Sequence, residues 1–154
     1  MSDDDATPAD DPLRGKVLYI EDLPINFAVV ESILARHAGV SVLHAATGLE
    51  GIRLVRTERP DLVLLDMHLP DISGLEVVRR LSEDIADRRV LITLLTADRF
   101  TMDVVKAMSL GAHETLVKPV DAALLEDAVR RALSRNRKGS GALGTPGASG
   151  AQAR

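Results

Sequence analysis

The chain has 154 residues, a formal net charge of −4 and no cysteine. That length fits one domain of ordinary size, and the lack of thiols excludes disulfides, thiolate zinc sites, iron–sulfur clusters and cysteine nucleophiles. Five acids and no base fall within the first twelve residues, so the rest is close to neutral; with one tyrosine, two phenylalanines and no tryptophan, there is neither a basic stripe nor an aromatic platform for nucleic acid.

Residues 1–13, with Asp3, Asp4, Asp5, Asp10 and Asp11, are expected to be a disordered acidic tail. An acidic start is unlike a secretory leader, and the longest apolar runs, Leu62 to Leu65 and Val90 to Leu95, are far too short for a membrane span. The expected location is the cytoplasm, with no membrane partner. From residue 14 two patterns alternate. The first β-rich run is Lys16–Glu21, followed by Pro24 to His37, where Phe27, Val30, Ile33 and Leu34 form a helical stripe and Pro24 suits a first turn. Ser41–Ala45 precedes a helix from Leu49 to Arg59, ended by Pro60. Its Gly51 costs about 1 kcal/mol relative to Ala and signals either mobility or close packing. Asp61–Leu65 precedes a helix at Gly74–Glu83, and Val90–Leu95 precedes one at Thr101–Leu110 that stops at Gly111. Glu114–Val117 precedes the last helix, Asp121–Ser134, with Asp121 as its cap. Residues 136–154, rich in Gly, Ala and Ser, read as a flexible tail, leaving 14–135 as the domain and too little chain beyond it for a second one.

Five strand–helix units in succession predict a doubly wound α/β fold: a five-stranded parallel sheet with five helices, flavodoxin-like (βα)5. Ligands on such sheets bind beyond the carboxyl ends of the strands. Those ends carry Glu21-Asp22, then Asp66, then Thr96-Ala97, then Lys118-Pro119. Three carboxylates brought together repel one another, and a hard divalent cation removes that cost. Oxygen-only ligands favour magnesium, manganese or calcium over zinc or copper. Magnesium shares its shell readily with phosphoryl oxygens, so the cluster suggests phosphate chemistry with one carboxylate as nucleophile, and Lys118 and Thr96 as a cradle for the phosphoryl group.

The chain resembles the receiver (phosphoacceptor) domain of two-component response regulators. The matching pieces are Val17-Leu18-Tyr19-Ile20-Glu21-Asp22, Pro60 through Pro70 leading to Gly74, Leu95-Thr96-Ala97, Gly111-Ala112 and Lys118-Pro119. The resemblance implies that Asp66 is the phosphorylated aspartate and that Mg2+, with Mn2+ as the alternative, is held by Asp22, Asp66, the backbone carbonyl of Met67 and, through water, Glu21. It further implies that Thr96 and Lys118 contact the phosphoryl group beside Ala97, that a cis peptide precedes Pro119, and that His68 and Asp98 tune how fast water attacks. A sensor histidine kinase or histidine phosphotransfer protein is the implied donor. The face of the fourth predicted helix, fifth strand and fifth helix is the implied output and homodimer surface. The implied protein is no dedicated enzyme, only slowly removing its own phosphate; a Mg-dependent phosphatase or phosphotransferase with an aspartyl-phosphate intermediate is the alternative. The family's usual aromatic three residues before Lys118 is Thr115 here, which leaves Phe100 as either a substitute read-out or plain packing. His37, His44 and His113 read as surface or edge residues, and Arg130, Arg131, Arg135, Arg137 and Lys138 as a solvated basic helix end.

Overall fold

A computed structural model describes residues 13–144, with side chains described through Arg135. In chain order the elements are β1 (Arg14–Ile20), α1 (Pro24–Leu34), β2 (Gly39–Ala45), α2 (Gly48–Glu58), β3 (Leu62–Asp66), α3 (Gly74–Arg80), α4 (Ser82–Ala86), β4 (Leu91–Thr96), α5 (Met102–Ser109), β5 (Glu114–Val117) and α6 (Ala122–Gly144). The strands form one sheet in the order β2-β1-β3-β4-β5, and every pairing is parallel. This is the flavodoxin-like arrangement expected from the alternation of elements. Because all strands run the same way, all their carboxyl ends lie on one rim.

Side chains alternate across each strand, which sorts the core into two layers. Leu18, Ile20, Val63, Leu65, Ile92 and Leu94 pack with α2, α3 and α5, whereas Val17, Tyr19, Leu62, Leu64 and Leu95 pack with α1 and α6. Every residue of the central strand β3 is buried, as strands covered on both faces require.

Four of the helices, α2, α3, α5 and α6, start on side chains suited to capping. Thr47, Ser73 and Thr101 each accept a hydrogen bond from the amide three residues on, at 3.1, 3.1 and 3.3 Å. Asp121 accepts from Ala123 and Leu124. The α2 start has a second, tertiary cap: the Asp71 carboxylate accepts from Gly48 and Leu49, both at 2.8 Å, tying the loop after β3 to that helix.

The helical segments number six, where five were expected. The predicted helix Gly74–Glu83 breaks at Leu81, whose φ of −99° and ψ of 10° leave the helical region. The Leu81 side chain is fully buried, and its amide bonds to both Val77 and Val78. The chain tightens there to seat Leu81 in the core and restarts as the short α4. Gly51 resolves as close packing: a Cβ there would lie 2.7 Å from Cγ1 of Ile20, so α2 rests directly on β1. The last helix continues past Ser134 to Gly144, so the expected tail from 136 onward is helical that far. Residues 1–12 and 145–154 lie outside the described residues. No helix among the described residues is long and apolar enough to cross a membrane.

Candidate functional site

The strand order decides which side chains meet. β3 is the middle strand, with β1 on one side and β4 on the other. Asp66 therefore ends the central strand beside Glu21 and Asp22 at the end of β1. Ligand oxygens of Glu21, Asp22 and Asp66 lie within 4.8 Å of one another. Lys118, just past β5, reaches back across the rim so that its Nζ donates to Asp66 Oδ1 at 3.1 Å and lies 3.5 Å from Glu21 Oε1. The Lys118–Pro119 peptide bond is cis.

Asp66 is almost wholly buried. Its Oδ1 also accepts from the His68 amide at 3.2 Å. Burial is the strongest influence on its carboxyl and pushes it up. The His68 amide and Lys118 pull it back, the Glu21 charge adds to the rise, and the outcome stays above the ordinary aspartate range. Glu21 resolves oppositely. Burial again pushes up, but the Leu23 amide, Lys118, the Tyr19 hydroxyl and the Asn26 side chain together hold its carboxyl below the usual range. The cluster thus contains one well-compensated carboxylate and one that is not. The compensation Asp66 lacks is positive charge, and an all-oxygen donor set of this size suits a hard divalent cation.

Thr96 is buried at the end of β4. Its hydroxyl is turned into its own loop, donating to the Asp98 carbonyl at 3.2 Å and accepting from the Asp98 amide at 3.3 Å. The Asp98 carboxylate in turn accepts from the Phe100 amide at 2.8 Å. Ala97, Asp98 and the His68 side chain are exposed at the rim. Met67 is buried, and its carbonyl accepts from Gly74 at 3.1 Å. A Cβ on Gly74 would lie 2.8 Å from the Met67 Cα, so only glycine allows that approach. Phe100 is 82% exposed and is not packing. The Thr115 hydroxyl lies 3.2 Å from the Met108 sulfur.

Three residues at the site were not anticipated. Tyr19 donates to Glu21 Oε1 at 3.0 Å, Asn26 hydrogen-bonds the same carboxylate, and His44 Nε2 lies 2.7 Å from the Glu21 carbonyl. His44 also stacks on Phe27, centroids 4.1 Å apart, so it is more than an edge residue. Of the other histidines, His37 pairs with Glu126 at 3.0 Å, and burial pushes the His113 imidazole down. A period-two reading would have put Tyr19 and Glu21 on one strand face. Nothing in the sequence pairs His44 with either.

A five-stranded parallel sheet with an acidic cluster and a lysine at its carboxyl rim defines a class of phosphate-handling α/β domains. The chain belongs to the response regulator receiver domain family, whose model matches residues 17–130. It is similar to the transcriptional regulatory protein AfsQ1 of Streptomyces coelicolor, 39% identical over 124 residues, covering 80% of this chain and 53% of that protein. The chain spans about half the length of the curated relatives it matches first. Among solved structures it is similar to the receiver domain of sensor histidine kinase PA1611 from Pseudomonas aeruginosa PAO1. That structure has a magnesium ion coordinated in its active-site cleft; the match has a TM-score of 0.70 and 30% identity, covering 79% of this chain and 99% of that one. It is also similar to the receiver domain of Ssk1, solved with the Saccharomyces cerevisiae histidine phosphotransfer protein Ypd1, at a TM-score of 0.71 and 27% identity over 79% and 90% of the two chains. The chain is thus a receiver domain of two-component phosphorelay signalling. Receiver domains are signalling proteins rather than dedicated enzymes, bind Mg2+ in an acidic pocket, and interact with histidine kinases or phosphotransfer proteins.

Proposed function

We propose that Asp66 accepts a phosphoryl group from a phosphohistidine on a sensor kinase or histidine phosphotransfer protein. An Asp66 carboxylate oxygen attacks phosphorus in line. The new O–P bond forms as the P–N bond to histidine breaks, and the imidazole leaves with the electron pair. Asp66 Oδ1 is held by Lys118 and the His68 amide, which leaves Oδ2 as the less constrained oxygen. Lys118 already lies against the acceptor and bears charge that develops on the phosphoryl oxygens. Asp22, Asp66 and the Met67 carbonyl would hold Mg2+, or Mn2+ in its place, with Glu21 acting through water; the bound cation supplies charge neutralisation for the transferring group. The proximity of three carboxylates and Lys118 on one rim carries this reading.

The product acyl phosphate adds about two negative charges beside Thr96. Thr96 exchanges its two long bonds within the Asp98 loop for the phosphoryl oxygens, beside Ala97, and the loop after β4 moves with it. His68 and Asp98 stand at the rim and set how quickly water returns the domain to its resting state, slowly, by self-dephosphorylation. The α5–β5–α6 face carries the output and pairs two copies, with Met102, Val105 and Met108 offering exposed apolar surface there. The domain works in the cytoplasm without nucleic acid or membrane as its own ligand. The test is incubation with acetyl phosphate and Mg2+ followed by intact mass. A single adduct, removed by hydroxylamine and missing in Asp66→Asn, is expected; an adduct persisting in that variant would refute the assignment.

A further inference from the structure

Glu21 is fully buried, and both its oxygens are committed. Oε1 accepts from Tyr19 at 3.0 Å and lies 3.5 Å from Lys118; Oε2 accepts from the Leu23 amide at 3.0 Å. Tyr19 itself cannot move freely. Its ring is 2% exposed and lies against Phe27, centroids 6.2 Å apart. Phe27 stacks on His44 at 4.1 Å, with ring planes 15° apart. His44 closes the circuit on the Glu21 carbonyl at 2.7 Å. Glu21 is therefore gripped at both ends: its carboxylate by the Tyr19 phenol together with the Leu23 amide and Lys118, and its main chain by an imidazole. One phenylalanine braces both grips.

The neighbouring carboxylates are not held in this way. Asp22 has no hydrogen bond of its own among the described residues, and Asp66 keeps one oxygen clear. We propose that Tyr19 is a positioning residue for the cation: its hydroxyl fixes the Glu21 carboxylate so that it meets the water shell of Mg2+ in one orientation, leaving direct ligation to Asp22 and Asp66. This deepens the reading of the acidic cluster as a metal site and rests on it. Hydrogen-bonding groups behind metal ligands act by paying the orientational cost in advance, and their loss costs about 10- to 100-fold in metal affinity or activity.

The chain has one tyrosine and no tryptophan, so its near-UV absorption above the phenylalanine bands reports on Tyr19 alone. Magnesium water bound to Glu21 draws charge from Oε1, weakens it as an acceptor and shifts that band to the blue.

The experiment titrates Mg2+ into the full chain and into Tyr19→Phe by calorimetry. Wild-type near-UV difference spectra and acetyl phosphate labelling at rising Mg2+ accompany it. The expected result is Mg2+ binding weakened about tenfold or more in Tyr19→Phe. Its labelling defect should vanish as Mg2+ approaches saturation, which a merely structural loss would not do. Equal affinity of the two proteins, or a defect that saturating Mg2+ leaves in place, overturns the inference while the metal reading stands. No Mg2+ binding by the wild type overturns the metal reading and this inference with it. Should Tyr19→Phe fail to fold, the wild-type spectrum decides: a blue shift on saturation supports the role, and an unmoved band refutes it.

Discussion

Replacing Asp66 with Asn should stabilise the metal-free domain. Its carboxylate lies within 4.8 Å of oxygens of both Glu21 and Asp22. At an effective dielectric of about 20, each such like-charge pair costs about 3 kcal/mol. The Lys118 ammonium at 3.1 Å returns about 5 kcal/mol on the same scale, and burial adds a further cost to the charged form. The charge at Asp66 is therefore a net liability of about 1–2 kcal/mol. Asn removes it while its amide oxygen still accepts from Lys118 and the His68 amide. For a domain of this size that corresponds to roughly 3–10 °C in melting temperature. The assay is thermal unfolding in a chelator, repeated with Mg2+, which should raise the wild type and move the variant much less. The pH dependence has a definite sign. A carboxyl raised in the folded state binds protons there that the unfolded chain has released, so its contribution falls as pH rises from the ordinary aspartate range through the raised value. The advantage of Asp66→Asn should widen over that interval and then level off. A variant that melts at or below the wild type in chelator would refute the electrostatic reasoning.

Thr93 faces the layer beneath α6 with its hydroxyl buried and unpartnered; Thr93→Val keeps the shape, removes the unpaired group and should gain about 1 kcal/mol in denaturant unfolding. Gly51→Ala would ordinarily favour a helix by about 1 kcal/mol. Here the new methyl meets Ile20, so a net loss of about 1–2 kcal/mol is expected in the same measurement. Asp71→Ala removes the carboxylate that caps α2 from the neighbouring loop, a loss of about 1 kcal/mol. Burial opposes the Asp71 charge, but the Leu49 and Gly48 amides outweigh it and hold that carboxyl below the ordinary range. The wild type should lose this stabilisation as pH falls through the depressed value, and Asp71→Ala should lack that step.

The apolar runs that became β3 and β4 were legible because strands buried on both faces need unbroken hydrophobicity. Once the strands were placed, their terminal residues were placed too, which is why Glu21, Asp22, Asp66, Thr96 and Lys118 could be read as neighbours. The break at Leu81 was not legible. A leucine at helical spacing gives no sign that the core will seat it more tightly than a straight helix permits. The grip on Glu21 was only half visible, since Tyr19 shares its strand face but His44 arrives from β2 through parallel register, with Tyr19 opposite His44. The tie from Asp71 to α2 depends on how a loop folds across to another element. Local spacing carries no record of that.

The placement of Asp66 on the middle strand has a consequence for how the domain tolerates change. Five buried residues, Leu62 to Asp66, act as a ruler. Side chains alternate with a period of two, so gaining or losing one residue in that run would reverse the faces on one side of the change relative to the other, and Asp66 and Leu62 through Leu65 could not all keep theirs. Insertions and deletions should therefore be tolerated in the loops, whereas the central strand should admit substitution but not insertion.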